Sequence, residues 1–303
     1  MPGWAKNSPY DRYFDFIALK ANRYAILTEH IESLKLNSAV ITVAGNRHIF
    51  IFPPGQKPLR RTKTFPFQNK SPYLFTAHYD RVENSPGAND NSIAVFHLLR
   101  TALSFIKSGI DNWIIVFTDK EEIIAGESLE AQGAFTLAKK LISWGLEKSK
   151  IFNFDVCGAG STFIISTTTD HILKDSTSAN IDKIRKAILN LRNHALAAAD
   201  CLRMEKVLLA PTPFSDDVGF LRAGLAVQTI TLLPSEEADQ YETLLRSQNN
   251  FADLIISGKI KDPHEYRRLP ETWRNLNNAN DTPSRLTPQY FEQIVKYMTQ
   301  LAS

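Results

Sequence analysis

Between Tyr10 and Lys35 the apolar residues Phe14, Ile17, Ala18, Tyr24, Ile26, Leu27 and Ile31 recur at helical spacing, which predicts a helix at the start of the fold. The stretch SAVITVAGNRHIFIFPPG then alternates around Gly45-Asn46, the pattern of a β-hairpin. After it, short apolar runs alternate with longer helical ones: YLFTAH, SIAVFHLLRTALSFIK, NWIIVFTDKEE, AFTLAKKLISW and KIFNFDV. That is a βαβαβ rhythm, because strands buried on both faces of a parallel sheet read as continuous apolar runs. TFIISTTT and AVQTITLL read as further strands, and IDKIRKAILNLRNHALAAA and PQYFEQIVKYMTQLA as helices. The expected class is α/β, one domain with a central mixed, mostly parallel β-sheet sandwiched between α-helices.

Composition narrows the function. A chain of 303 residues, 43% hydrophobic, buries a large core. Lys and Arg number 35 against 32 Asp and Glu, a net +3 spread along the chain, so no nucleic-acid partner is expected. The one basic cluster, KPLRRTK from Lys57 to Lys63, reads as a solvated loop. Cys157 and Cys201 are too few for a disulfide framework. Charges are scattered through MPGWAKNSPYDRYFDFIALK, and no signal peptide or membrane span is legible. These features predict a soluble cytoplasmic protein with no membrane partner, and leave its oligomeric state open.

The polar residues cluster where strands end. YLFT runs into AHYD, WIIVFT into DKEE and IFNF into DVCG. Ligands of open α/β sheets bind outside the carboxyl ends of the strands, so these side chains should converge on one crevice. His78 and Asp80 lie on one side of an extended segment, suiting a metal ligand and an orienting carboxylate. Asp90 sits in the turn PGANDNS, where taken alone it reads as a cap. Glu121 and Glu122 are adjacent acids past a buried strand, either a solvated helix start or a general base beside a ligand. Asp155 ends an apolar strand, where a charge needs solvent or a cation. Together they read as a two-metal hydrolase site.

The order HxD, GANDN, EE, a strand-end Asp, SDD and NxxxDT, from about Tyr73 to the C-terminus, resembles the zinc-dependent aminopeptidase family. That family also contains glutaminyl-peptide cyclotransferases, glutamate carboxypeptidase and the transferrin receptor ectodomain. The resemblance implies a zinc cofactor, one or two ions per chain, and a peptide substrate cleaved at its N-terminal residue by a metal-activated water. It implies that His78, Asp90, Glu122 and Asp155 are metal ligands, with Glu121 as general base and Asp80 supporting His78. Asp216 and Asp217, in the segment matching the family's SDH, would approach the substrate.

Three departures stand out. Four residues before Asp281-Thr282 the family has a histidine ligand, and here Asn277 stands, a weak ligand or a vacant one. His264 is the nearest histidine in sequence that could substitute, and the others fall outside the matching motifs. IIAGESLEAQGAF after Glu122 lacks the nearby glycine and leucine of the family, and the long segment from Pro234 to Trp273 suggests a helical lid. Two other functions therefore stay in view: a non-catalytic or one-metal homologue acting as a binding protein, and a glutaminyl-peptide cyclotransferase, whose zinc set Asn277 interrupts. A cysteine hydrolase built on Cys157 in DVCGAGS lacks a partner histidine in any motif.

Overall fold

The computed structural model describes residues 2–5, 9–56, 71–123, 127–247, 251–257, 260 and 262–303. The basic run from Lys57 to Lys63 lies outside them, as do residues 124–126 of the segment after Glu122. The described strands form one eight-stranded sheet in the order β1-β2-β4-β3-β5-β8-β6-β7.

The hairpin β1 (Asn37–Val43) and β2 (Asn46–Phe52) forms one edge of this sheet. Its two-residue turn places Ala44 and Gly45 both at positive φ, as such hairpins require. The centre is parallel: β3 (Tyr73–His78) pairs with β4 (Trp113–Thr118) and with β5 (Lys150–Phe154), and β5 pairs with β8 (Val227–Leu233). The antiparallel pairings of β2 with β4 and of β6 (Thr162–Ser166) with β8 make the sheet mixed. β7 (Val207–Ala210) pairs with β6 at the far edge, and its four residues, VLLA, gave too short a pattern to read from sequence.

The strands explain the layers. On β3, Phe75 and Ala77 face one core while Leu74 faces another, the period-2 alternation of a sheet covered on both sides. The first core takes α1 (Tyr13–Ile17), α2 (Arg23–Ser33), α3 (Ile93–Lys107) and, past α4, the later helices α6 and α12. The second takes α4 (Gly133–Ser143) and Phe220 of α7. Here α5 spans Thr168–Leu173, α6 Ala179–Cys201 and α7 Asp216–Arg222.

The opening helix is two helices rather than one. Asn22 accepts a hydrogen bond from the Ala25 amide at 3.1 Å and caps α2, so the chain turns between Ala18 and Asn22 where periodicity ran straight through. The described residues between 235 and 274 include α8 (Ser235–Ser247), α9 (Phe251–Ser257), α10 (Pro263–Arg268) and α11 (Glu271–Arg274). Ala238, Tyr241, Phe251, Ile255 and Trp273 pack on Val156, Ile164, Ala210 and Leu233 at the β6–β8 end. The final helix α12 (Phe291–Leu301) packs on α3. Among the described residues no helix is long and apolar enough to cross a membrane.

Candidate metal centre

β3 delivers His78 at its carboxyl end, and the loop after β5 delivers Asp155 beside it. Asp90 arrives from the turn before α3. His78 Nε2 stands 3.0 Å from Asp90 Oδ1 and 3.5 Å from Asp155 Oδ1, and all three residues are buried. A tetrahedral site with bonds of about 2.0–2.1 Å sets its donor atoms about 3.3 Å apart, so these spacings fit one zinc-sized cation.

The donors are also otherwise unused. Both ring nitrogens of His78 and Asp155 Oδ1 are buried without a hydrogen bond. Each buried polar atom left so costs about 1–3 kcal/mol, which a bound cation would offset. Within the cluster itself, burial disfavours the charged imidazole, but Asp155, Asp80 and Asp90 outweigh it and hold His78 well above the usual histidine range. Burial drives Asp90 up.

A built frame holds this cluster. Asp281 accepts the backbone N–H groups of Asn89 at 2.8 Å and Asp90 at 2.9 Å. Asn89 accepts from the Gly158 amide at 2.7 Å, and Asn91 donates to the Phe154 carbonyl at 2.8 Å, tying the Asp90 turn to the Asp155 strand end. Buried Arg23 of α2 donates to the carbonyls of Asp80 at 2.9 Å and Pro86 at 2.8 Å and to Ser92 Oγ at 2.7 Å. Gly87 sits at φ 57, where a Cβ would lie 2.6 Å from the Asp90 carbonyl and 2.8 Å from Arg23 Nη2, so glycine is required.

Asp80 links the first ligand to the glutamates. Its Oδ1 lies 3.4 Å from His78 Nδ1, and its two oxygens accept the backbone N–H groups of Glu121 at 3.1 Å and Glu122 at 3.0 Å. Its burial is outweighed by His78 and these amides, which lower its pKa. Glu121 and Glu122 also group with His78, all donor atoms lying within 4.8 Å of one another. Burial, helped by Glu122, Asp155 and Asp216, pushes Glu121 well above the carboxylate range, and burial with Asp90 pushes Glu122 to about 9. Gln132 Nε2 donates to Glu121 Oε1 at 3.1 Å and to the Ser215 carbonyl at 3.3 Å.

The remaining expected residues fall in distinct places. Asn277, exposed and at φ 59, lies against Glu122. Asp216 and Asp217 are wholly buried: Thr118 donates to Asp216, and Thr229 donates to Asp217 at 3.0 Å. Burial lifts both to about 7. Neither lines the cleft, which their neighbour Ser215 does, so their full burial sets them behind its wall rather than against a substrate as expected. His264 is exposed on α10 and joins no metal-binding group among the described residues. Cys157 is buried, bonded to the Asp155 and Ile230 carbonyls, and burial drives its thiol far up, the opposite of a nucleophile.

A cleft of about 80 Å³ opens on the cluster, lined by Asp90, Glu121 and Asp155 and walled by Phe214, Trp273 and Leu276. Sequence reasoning missed Arg23, Asn89, Asn91 and Gln132. Only the asparagines flanking Asp90 carried a local signal.

The profile of peptidase family M28 matches residues 62–296. The chain superposes on a zinc aminopeptidase from Bacillus subtilis with TM-score 0.52 and 18% identity, over 84% of its own length and 49% of that chain. It thus spans about half the length of that aminopeptidase. Glutaminyl cyclase from Porphyromonas gingivalis superposes with TM-score 0.59 and 15% identity over 97% and 96% of the two chains. A Zn-dependent exopeptidase from Parabacteroides distasonis does so with TM-score 0.55 and 13% identity over 99% and 97%. No curated protein matches in sequence. At these identities the solved structures establish the fold, and the matched profile, which takes in every residue of the cluster, establishes that the chain belongs to peptidase family M28.

Proposed function

We propose that the chain is a metal-dependent exopeptidase that hydrolyses the N-terminal residue of peptides. The observation that carries this reading is the juxtaposition of Glu121 with the His78, Asp90 and Asp155 cluster at the floor of a small cleft. A divalent cation, zinc by the donor set, held by His78, Asp90 and Asp155 would supply Lewis acidity to the scissile carbonyl and to a water. Glu121, which would be ionised once a cation offsets the neighbouring acids, takes the proton of the attacking water and returns it to the leaving amine. Gln132 aims the Glu121 carboxylate, and Asp80 fixes both the ring of His78 and the main chain of the two glutamates.

The apolar wall of Phe214, Trp273 and Leu276 suits a short substrate side chain.

Glu121→Gln tests the assignment. Turnover of aminoacyl-arylamide substrates should fall by about 10²–10⁴ while bound zinc is unchanged. Unchanged turnover would reject Glu121 as base. Shared fold over nearly the full length with a glutaminyl cyclase favours a second reading, intramolecular acyl transfer. Ammonia release from a glutamine-initiated peptide distinguishes the two.

A further inference from the structure

Two arginines join the first helices to the loop that follows β3, and they reach in opposite directions. Arg23, the first residue of α2, sends Nη1 to the carbonyls of Tyr79 at 3.1 Å and Asp80 at 2.9 Å. Its Nη2 donates to the carbonyls of Pro86 at 2.8 Å and Gly87 at 3.2 Å and to Ser92 Oγ at 2.7 Å. Arg81, in the loop itself, reaches back to the turn between α1 and α2. Its Nη1 donates to the Ile17 carbonyl at 2.9 Å, and its Nη2 to the carbonyls of Ala18, at 2.9 Å, and Leu19. Tyr13 of α1 adds a third tie, donating its hydroxyl to the Ala88 carbonyl at 2.9 Å. Apart from Ser92, every acceptor is a main-chain carbonyl.

The segment so held carries the supports of the metal donors. Asp80 lies inside it, oriented toward His78 and bonded to the amides of both glutamates, and Asp90 follows three residues after Gly87. The loop from Tyr79 to Ser92 is therefore wound on a single guanidinium. That guanidinium lies 4.7 Å over the ring of Phe16, so α1 seats the arginine that α2 supplies. With Arg23 gone, four carbonyls lose their donor together, and the loop has to move to find others. Gly87 closes the joint, since a Cβ there would meet Arg23 Nη2 at 2.8 Å and Arg81 Cβ at 3.2 Å. The family profile begins at residue 62, so both helices precede the matched span.

We propose that α1 and α2 belong to the metal centre, with Arg23 and Arg81 as positioning residues that couple docking of this helical pair to the affinity for the ion. Coupling of this kind is reciprocal: the docked pair tightens the ion, and the ion tightens the pair.

The experiment uses the full chain and zinc alone, and requires no turnover. Competition with a chromogenic chelator should show Arg23→Met binding zinc about 10–100-fold more weakly than the wild type. Leu27→Ala, a buried core change on α2 that removes no donor to the loop, should lower the unfolding temperature of the metal-free protein and leave zinc affinity unchanged. Hydrogen exchange supplies the reciprocal readout: saturating zinc should slow the amides of residues 13–33 in the wild type, and should not in Arg23→Met. Arg81→Met, which opens the other half of the clasp from a partly exposed position, should move both readouts the same way, and it decides the matter should Arg23→Met not fold. Wild-type zinc affinity in the arginine variants, an equal loss in Leu27→Ala, exchange in residues 13–33 indifferent to zinc, or no zinc bound by the wild type would each overturn the proposal. If affinity and exchange behave as expected but no peptide is hydrolysed, the clasp stands and the exopeptidase reading fails.

Discussion

Asp281 grips Asp90 by its main chain: one carboxylate oxygen takes the Asn89 amide and the other takes the amide of Asp90 itself, 191 residues away in sequence. The side chain of Asp90 is thereby left free to point at His78. Asp281→Ala should weaken zinc binding by about 10–100-fold, as loss of such supporting contacts does elsewhere. Competition with a chromogenic chelator measures it. Unchanged affinity would mean that Arg23, Asn89 and Asn91 hold the turn without it.

Gln132 is the side chain that aims Glu121. Gln132→Met, close in volume, should lower kcat by about tenfold with little change in KM, since it touches the base and not the substrate. A rise in KM at constant kcat would place Gln132 in substrate binding instead.

The pair behind the cleft wall makes stability depend on pH. Burial raises Asp216 from 3.8 to about 7, so the folded state keeps a proton that the unfolded chain releases. A raised carboxyl costs nothing below about pH 4, destabilises the fold progressively between about pH 4 and 7, and levels off above 7 at a cost on the order of 4 kcal/mol. Asp216→Asn removes this titration. Thermal unfolding from pH 5 to 9 at one saturating zinc concentration should show the variant gaining on the wild type as pH rises; parallel profiles would place the titration elsewhere.

Metal removal should lower the unfolding temperature, because only the folded chain assembles the donors. At zinc a thousandfold above its dissociation constant the stabilisation is about 4 kcal/mol. Differential scanning calorimetry with and without chelator reads it, and coincident curves would contradict a folded-state ion site.

The residues that carry charge at strand ends were legible because a carboxylate or imidazole after an apolar run has few structural uses. His78, Glu121, Glu122 and Asp155 stood out in this way, whereas Asp90, in a turn where taken alone it read as a cap, was assigned by the family resemblance; the structure groups His78 with Asp90 and Asp155 and also with Glu121 and Glu122. Their frame was not legible. Arg23 acts through five hydrogen bonds to residues between Tyr79 and Ser92, and nothing in an amphipathic helix marks one arginine as buried. Gln132 likewise depends on how α4 meets α7. In the fold, the parallel strands announced themselves, while the α1–α2 break depended on one capping side chain and β7 on pairing partners that sequence periodicity does not reveal.

The Asp281 clamp also bears on the order in which the protein comes into being. A ribosome delivers His78 and the two glutamates long before Asp281, so until that late residue docks the loop carrying Asp90 has the contacts of Arg23, Asn89 and Asn91 to hold it and lacks the clamp. A nascent or truncated chain can fold much of its sheet and still lack a competent cutting edge. On the proposed function, the cutting centre is thus completed by one of the last stretches of the chain to be made.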